Sequence, residues 1–387
     1  MTGITFPVKV IGIISICLLS SCVGSRHLVD GQLAYNEAVR EASDKEMLLN
    51  IVRIRYHDTI EFLSINSINS TISFSLSANA GVSVGSGDNR GSATTAAGYS
   101  STPTISFSPQ RGEQFARKLT DPVSVTVIVY LSSVIRDAHQ IFRLLVTRMN
   151  GLDNLEGEVD DGFVSVTRTL AGYQYAGTAD IGFSEQPFLS TPPIPVDKVS
   201  TGDMLSALRE GLTIREDTEH GQIVFQQSKE QPRLYVSPGA SGRDAFLAQL
   251  GLSPDRREFP IELNFREYEK AGDQALVIST RSLLQSMAFL SQGVEVPPEH
   301  VSSGIVQSLW LHPSTDPARM EDIFQVEYSK EQPDNASVAV QHRGYWFYIR
   351  DNDVVSKRSF SLIAHALRFI FEANANAGPV LTLPVSG

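Results

Sequence analysis

Three groups of residues bring together side chains able to move protons or hold a ligand. Arg53, Arg55, Tyr56, His57, Asp58 and Glu61 crowd one short stretch. Two guanidiniums in such a stretch can receive an anion or an acidic partner. Cations are also favoured at a helix C-terminus, so a salt-bridged helix end is the simpler reading. Glu295, Glu299 and His300 flank Pro297-Pro298. These are the types of a general acid–base pair, although proline beside acidic residues is equally a common helix start. Tyr345-Trp346-Phe347-Tyr348 follows Arg343-Gly344. That aromatic run suits a platform for a glycan or protein partner, or a strand packing both faces into a core. Arg53, Arg55, Tyr345, Trp346 and Tyr348 are therefore the candidate partner surface.

Dedicated catalytic and metal patterns are sparse. The eight histidines are scattered with no i,i+4 pair, and there is no His-Glu-x-x-His, Cys-x-x-Cys or phosphate-binding lysine loop. The glycine-rich stretch Gly81–Gly87 does not open a helix after a strand, which argues against a nucleotide site. No cofactor and no metal are expected, and the chain reads as a non-enzyme.

Cysteine chemistry is more informative. The chain has two cysteines, Cys17 and Cys22. Residues Val10–Leu19 form an apolar run preceded by Lys9. It is too short for a spanning helix, which needs about 20 residues, and fits the core of a secretory signal. It ends in Leu19-Ser20-Ser21-Cys22, which resembles a bacterial lipobox. Residues 1–21 are thus read as a lipoprotein signal peptide and Cys22 as the acylated first residue of the mature chain. With the signal removed, Cys22 has no thiol to pair with, which suits an anchor better than a disulfide. By analogy with the bacterial lipoproteins that this lipobox resembles, Val23 rather than Asp after the cysteine implies sorting to the outer membrane. The expected partner is outer-membrane lipid, held through acyl chains at about 0.8 kcal/mol per buried methylene.

With 387 residues, 42% apolar, the chain is long enough for two or three domains. Its 32 basic against 43 acidic residues exclude a nucleic-acid surface built on clustered cations. Residues 22–31 read as a tether. Leu33–Tyr56 has the apolar spacing of a helix, with Asp30 as its N-cap. Ser132–Met149 reads as a second long helix stopped by Asn150-Gly151. Thr191-Pro192-Pro193-Ile194-Pro195 is the strongest linker signal. The expected organisation is α+β: a helix–β-hairpin–helix domain at 32–190, a linker at 191–198, and an α+β domain at 199–387 in which strands and helices mix.

The segment that stands out is Phe62–Gln110. No charged residue occurs from Phe62 to Gly87 or from Gly91 to Gln110, and Thr-Ile-Ser-Phe-Ser occurs at both Thr71–Ser75 and Thr104–Ser108. A hairpin over 71–108 folded at Asn89/Arg90 would set Ile72 opposite Phe107, Phe74 opposite Ile105, Leu76 opposite Pro103 and Ala80 opposite Tyr99. Ile72, Phe74, Leu76, Tyr99, Ile105 and Phe107 would share an apolar face, with Ser, Thr, Asn and Gly on the other. Solvated strand faces usually carry charges that guard against edge pairing. The stretch therefore reads as a periplasmic hairpin with its apolar face on the core and its Ser/Thr face in water, as an assembly or membrane-inserting element, or as a disordered Gly/Ser loop. One hairpin crosses a bilayer only as part of a closed barrel. Pro103 counts against this, because proline removes a ladder donor.

Leu48–Tyr56, Pro103–Pro109, Gly112–Phe115, Arg281–Leu284, Val294–Pro297, Arg343–Ile349 and the tail Pro379–Pro384 together resemble a family of uncharacterised proteobacterial outer-membrane lipoproteins. The resemblance implies location and shared architecture, and no catalytic residues. The expectation is an outer-membrane, mostly periplasmic lipoprotein that self-associates or meets envelope partners in an export or transport machine. The alternative is a monomeric periplasmic binding module for envelope glycan or a protein partner.

Overall fold

The computed structural model describes residues 23–83, 90–155, 158–263, 272–307, 320, 322–372 and 380–382. The chain is α+β, as expected, and divides into two compact units: Met1–Thr59 with Pro122–Ala366, and Ile60–Asp121 with Leu367–Gly387. The signal segment and Cys22 lie outside the described residues.

The smaller unit is built on the hairpin. Its arms run Leu63–Ser83 and Arg90–Pro109, longer than the expected 71–108. The strand Val380–Thr382 pairs in parallel with Ser67–Asn69 of the first arm. At the base, Phe62 packs edge-on to Phe115 of the helix Glu113–Thr120, with ring centroids 5.8 Å apart. Phe115 in turn meets Phe371 at 5.4 Å. Lys118 lies 5.2 Å from the centre of the Phe371 ring, and Gln110 N–H donates to Phe62 O at 2.8 Å. An aromatic plug from three distant chain segments therefore fixes the foot of the hairpin.

In the larger unit a nine-stranded sheet runs in the order Glu158–Val159, Leu152–Leu155, Val146–Met149, Leu276–Thr280, Glu258–Leu263, Gln222–Val236, Ala179–Ser190, with Ile194–Pro195 and Thr213–Asp217 also paired to Gln222–Val236. A separate sheet orders Glu327–Ser329, Tyr345–Arg350, Ala336–His342. The expected linker is part of the large sheet: Ile194 pairs with Ile223, and it packs with Val199 and Met204 on Ala207, Ile223 and Phe225. Proline is tolerated there because a two-residue edge strand needs few donors. The domain boundary expected at 191–198 is accordingly absent, and 122–366 forms one unit.

Two expected helices differ. The first runs Val23–Arg55, so the expected tether 22–31 is largely helical from Val23 onward. Among its described side chains, the apolar stripe is buried only from Met47. Before that, Arg40 pairs with Glu37 and Asp44, and Lys45 with Glu41, at three- and four-residue spacings. Ser132–Met149 is not one helix. Val125–Ile135 ends with Arg136 left-handed (φ 51°), Asp137 caps a new helix at Ala138–Leu145 through Gln140 N, and Val146–Met149 is a strand. Asn150 and Gly151, both at positive φ, close a hairpin between Met149 and Leu152. Asn-Gly prefers that mirror-image turn, and here the preference outweighs helix periodicity. Among the described residues, no helix is long and apolar enough to cross a membrane.

Candidate functional site

The three sequence clusters converge. The first helix packs on the strand Ala336–His342 and on the helix Leu283–Ser291, which brings Tyr56, His300, His342 and Tyr345 together. The Tyr56 hydroxyl lies 2.8 Å from His300 Nδ1. The Tyr56 ring meets those of His300, His342 and Phe347 edge-on at 5.2–5.9 Å. His342 Nε2 donates to Asp58 Oδ2 at 3.0 Å, and Arg343 reaches Asp58 Oδ1 at 2.7 Å while lying over the Tyr56 ring. Tyr345 donates to Glu299, which also faces Lys330 at 3.6 Å.

The electrostatics are those of a closed network. Burial pushes the Tyr56 hydroxyl up to about 12, keeping it a neutral hydrogen-bonding group. Burial likewise lowers His342, opposed by Asp58. Burial works to raise Asp58, but Arg343 and His342 outweigh it and hold the carboxyl below its usual value. The hydrogen bond from Tyr345 holds Glu299 down, whereas burial, with Glu327 nearby, raises Glu295. Asp58, His342, Glu299, Tyr345, Tyr56 and His300 are paired with one another, so the arrangement ties the end of the first helix to the small sheet.

The candidate partner surface fares unevenly. Arg55 is only 2% exposed and donates to Gln307 O at 3.0 Å. Tyr345 is buried, as is Phe347. Strand alternation turns both inward, so neither Arg55 nor Tyr345 offers a surface. Arg53, Trp346 and Tyr348 remain half-buried. Arg53 donates to Asn50 Oδ1 at 3.2 Å, and Tyr348 donates to Glu327 at 3.0 Å.

The hairpin register corrects the expected one. Ile72 pairs with Ser101 rather than Phe107, Phe74 with Tyr99, Leu76 with Ala97, Ile68 with Ile105 and Ala80 with Ala93. The slip is six positions along the second arm. An even slip keeps every residue on its side, so the expected grouping of Ile72, Phe74, Leu76, Tyr99 and Ile105 survives while each pair changes. The arms close at Ser83↔Arg90, not at Asn89/Arg90; the connection, residues 84–89, lies outside the described residues. A bulge between Ile65 and Ser67 then shifts parity, so Ile65, opposite Phe107, joins the same face as Ile68.

Two features run against the sequence reading, in which no Gly-x-Ser-x-Gly elbow and no role for Arg281 are expected. Gly81-Val82-Ser83-Val84-Gly85 has the spacing of a nucleophile elbow, but Ser83 ends a hairpin arm opposite Arg90 instead of entering a strand-to-helix turn. Arg281, 2% exposed, donates to the carbonyls of Arg143, Leu144 and Val146 and to Asn154 O. A buried cation thus sits on the C-terminal carbonyls of Ala138–Leu145, where the helix dipole favours it. Its guanidinium also lies 4.4 Å from the centre of the Phe289 ring. Among the described residues no group of His, Cys, Asp or Glu is arranged to hold a metal. No family model, curated protein or solved structure matches the chain.

Proposed function

We propose that the chain is a non-enzymatic lipoprotein, anchored to the outer membrane through acylated Cys22, whose hairpins join edge to edge into a shared barrel in an envelope export or transport machine. One observation carries the reading: a long antiparallel hairpin whose two arms carry no charge except Arg90, with open edges. Beyond Asn69 the outer edge of the first arm has no strand partner among the described residues, and the second arm has none along its whole outer edge. Such a ribbon is a template for pairing with another strand, and the edge of a second copy is the complementary partner. Lengths agree with one crossing. The apolar pairs from Ile65/Phe107 to Leu76/Ala97 cover 12 and 11 residues, close to the 9–11 of a transmembrane strand. The Gly-, Ala- and Thr-rich remainder would stand beyond the bilayer, toward Arg90. The resemblance to outer-membrane lipoproteins agrees with this location.

The test is the mass of the Cys22→Ser protein in mild detergent, with and without residues 62–110. A ring lost on deletion supports the barrel and calls for conductance measurements in bilayers. A monomer in both cases overturns it and leaves the chain a periplasmic binding module.

A further inference from the structure

The larger unit holds a cleft of about 190 Å³ lined by His139, Arg143, Asp161, Val164, Arg168, Asp322 and Ile323. That is below the usual range for drug-sized ligands and suits a small solute. Val164 and Arg168 stand on the helix Asp161–Ala176, which also supplies Asp161 at its start, while His139 and Arg143 project from Ala138–Leu145.

Hydrogen bonding fixes the state of His139. Its Nδ1 lies 2.9 Å from Thr167 Oγ1. The Thr167 hydroxyl is 2.9 Å from Phe163 O and 3.1 Å from Val164 O, and donates its one proton to these carbonyls. With that proton on a helix carbonyl, the oxygen accepts from His139 in the tautomer that carries the ring proton on Nδ1 and keeps the Nε2 lone pair as an acceptor. Among the described residues Nε2 has no hydrogen-bond partner. Burial first, with Arg143 and Arg168, lowers His139 to about 4, so the ring is neutral at neutral pH.

The charges around this acceptor are balanced. Arg168 pairs with Asp322 at 2.7 Å, and both side chains are more than half exposed, so a ligand can exchange with that pair. Arg143, which donates to Asn154 Oδ1, and Asp161 line the cleft beside that pair. An anion or cation alone would leave one sign uncompensated, whereas a molecule carrying both satisfies both.

We propose that the cleft binds a small zwitterion, an α-ammonium carboxylate of amino-acid size. The carboxylate takes Arg168, and the ammonium donates to His139 Nε2 and to Asp322 or Asp161. This does not depend on the hairpin reading.

The test is titration of the full chain in mild detergent with glycine, L-alanine and D-alanine, against acetate and methylamine, followed by the His139 ring-nitrogen resonances. Saturable binding of a zwitterion that moves the Nε2 resonance is expected, with acetate and methylamine each at least about tenfold weaker. Arg168→Ala and Asp322→Asn alter exposed side chains and should each weaken binding about tenfold, the loss of one charge-assisted contact. A His139→Gln chain should bind more weakly while unfolding cooperatively. The assignment is overturned if no zwitterion saturates the site up to its solubility limit. It is equally overturned if acetate binds as tightly as alanine, or if Arg168→Ala and Asp322→Asn bind alanine like the parent.

Discussion

The Tyr56 hydroxyl and His300 Nδ1, 244 residues apart in the chain, lie 2.8 Å from each other in a buried contact. Tyr56→Phe keeps the ring and its edge-on packing but leaves a buried imidazole nitrogen without that partner. The expected cost is about 1–3 kcal/mol, the desolvation penalty of an orphaned polar group. Urea unfolding of the two proteins measures it. An unchanged midpoint would mean that water reaches His300 and the contact contributes nothing.

Arg281 does more than fill space. Arg281→Met keeps an unbranched side chain but strips the guanidinium from the Phe289 ring and the donors from the carbonyls of Arg143, Leu144, Val146 and Asn154. A loss of about 3 kcal/mol or more is expected, because buried carbonyls lose a charged donor. Arg281→Lys should recover only part, since an ammonium lacks the planar fork that spans several carbonyls. Thermal unfolding that ranks Lys with the parent would show that charge alone suffices.

What the sequence made legible follows a physical divide. The two hairpin faces were readable because alternation is a local property and survives any even slip. The register was not, because it depends on where six connecting residues close the arms and on a bulge beside Asn66. Ser132–Met149 misled for a related reason: its apolar positions fit a helix, yet Arg136 and Asp137 break it and Asn150-Gly151 reverses it. The convergence of Tyr56, His300 and His342 is tertiary, and no local pattern announces it. The residues around His139 were likewise unmarked, since a lone histidine, two arginines and two aspartates share no spacing.

Stability should fall in mild acid through His139. Its folded value, about 4, lies below the ordinary 6.5, so the unfolded chain binds the proton first. Stability is therefore full above about pH 6.5. It declines as pH drops toward 4 and levels off below that. The swing is about 2 kcal/mol once partial solvent exposure is allowed for. His342 is also lowered and adds a change of the same sign. Urea midpoints across this range should show a shallower slope in His139→Gln than in the parent. Parallel profiles would mean that the ring stays hydrated.

The hairpin register can be read by chemistry in a Cys22→Ser, Cys17→Ser background. Opposed residues in an antiparallel pair have Cα atoms about 4.5–5.5 Å apart, within reach of a disulfide. Phe74→Cys with Tyr99→Cys, and Leu76→Cys with Ala97→Cys, should each cross-link within one chain on mild oxidation. Ile72→Cys with Phe107→Cys should not. Six positions along a strand amount to about 20 Å, far beyond that reach. Cross-linking of the last pair within one chain would restore the turn at Asn89/Arg90. If it forms only between chains, a neighbouring hairpin has added to an open edge, as the shared barrel requires. The between-chain product should then survive dilution in mild detergent before oxidation, whereas a chance collision product falls with concentration.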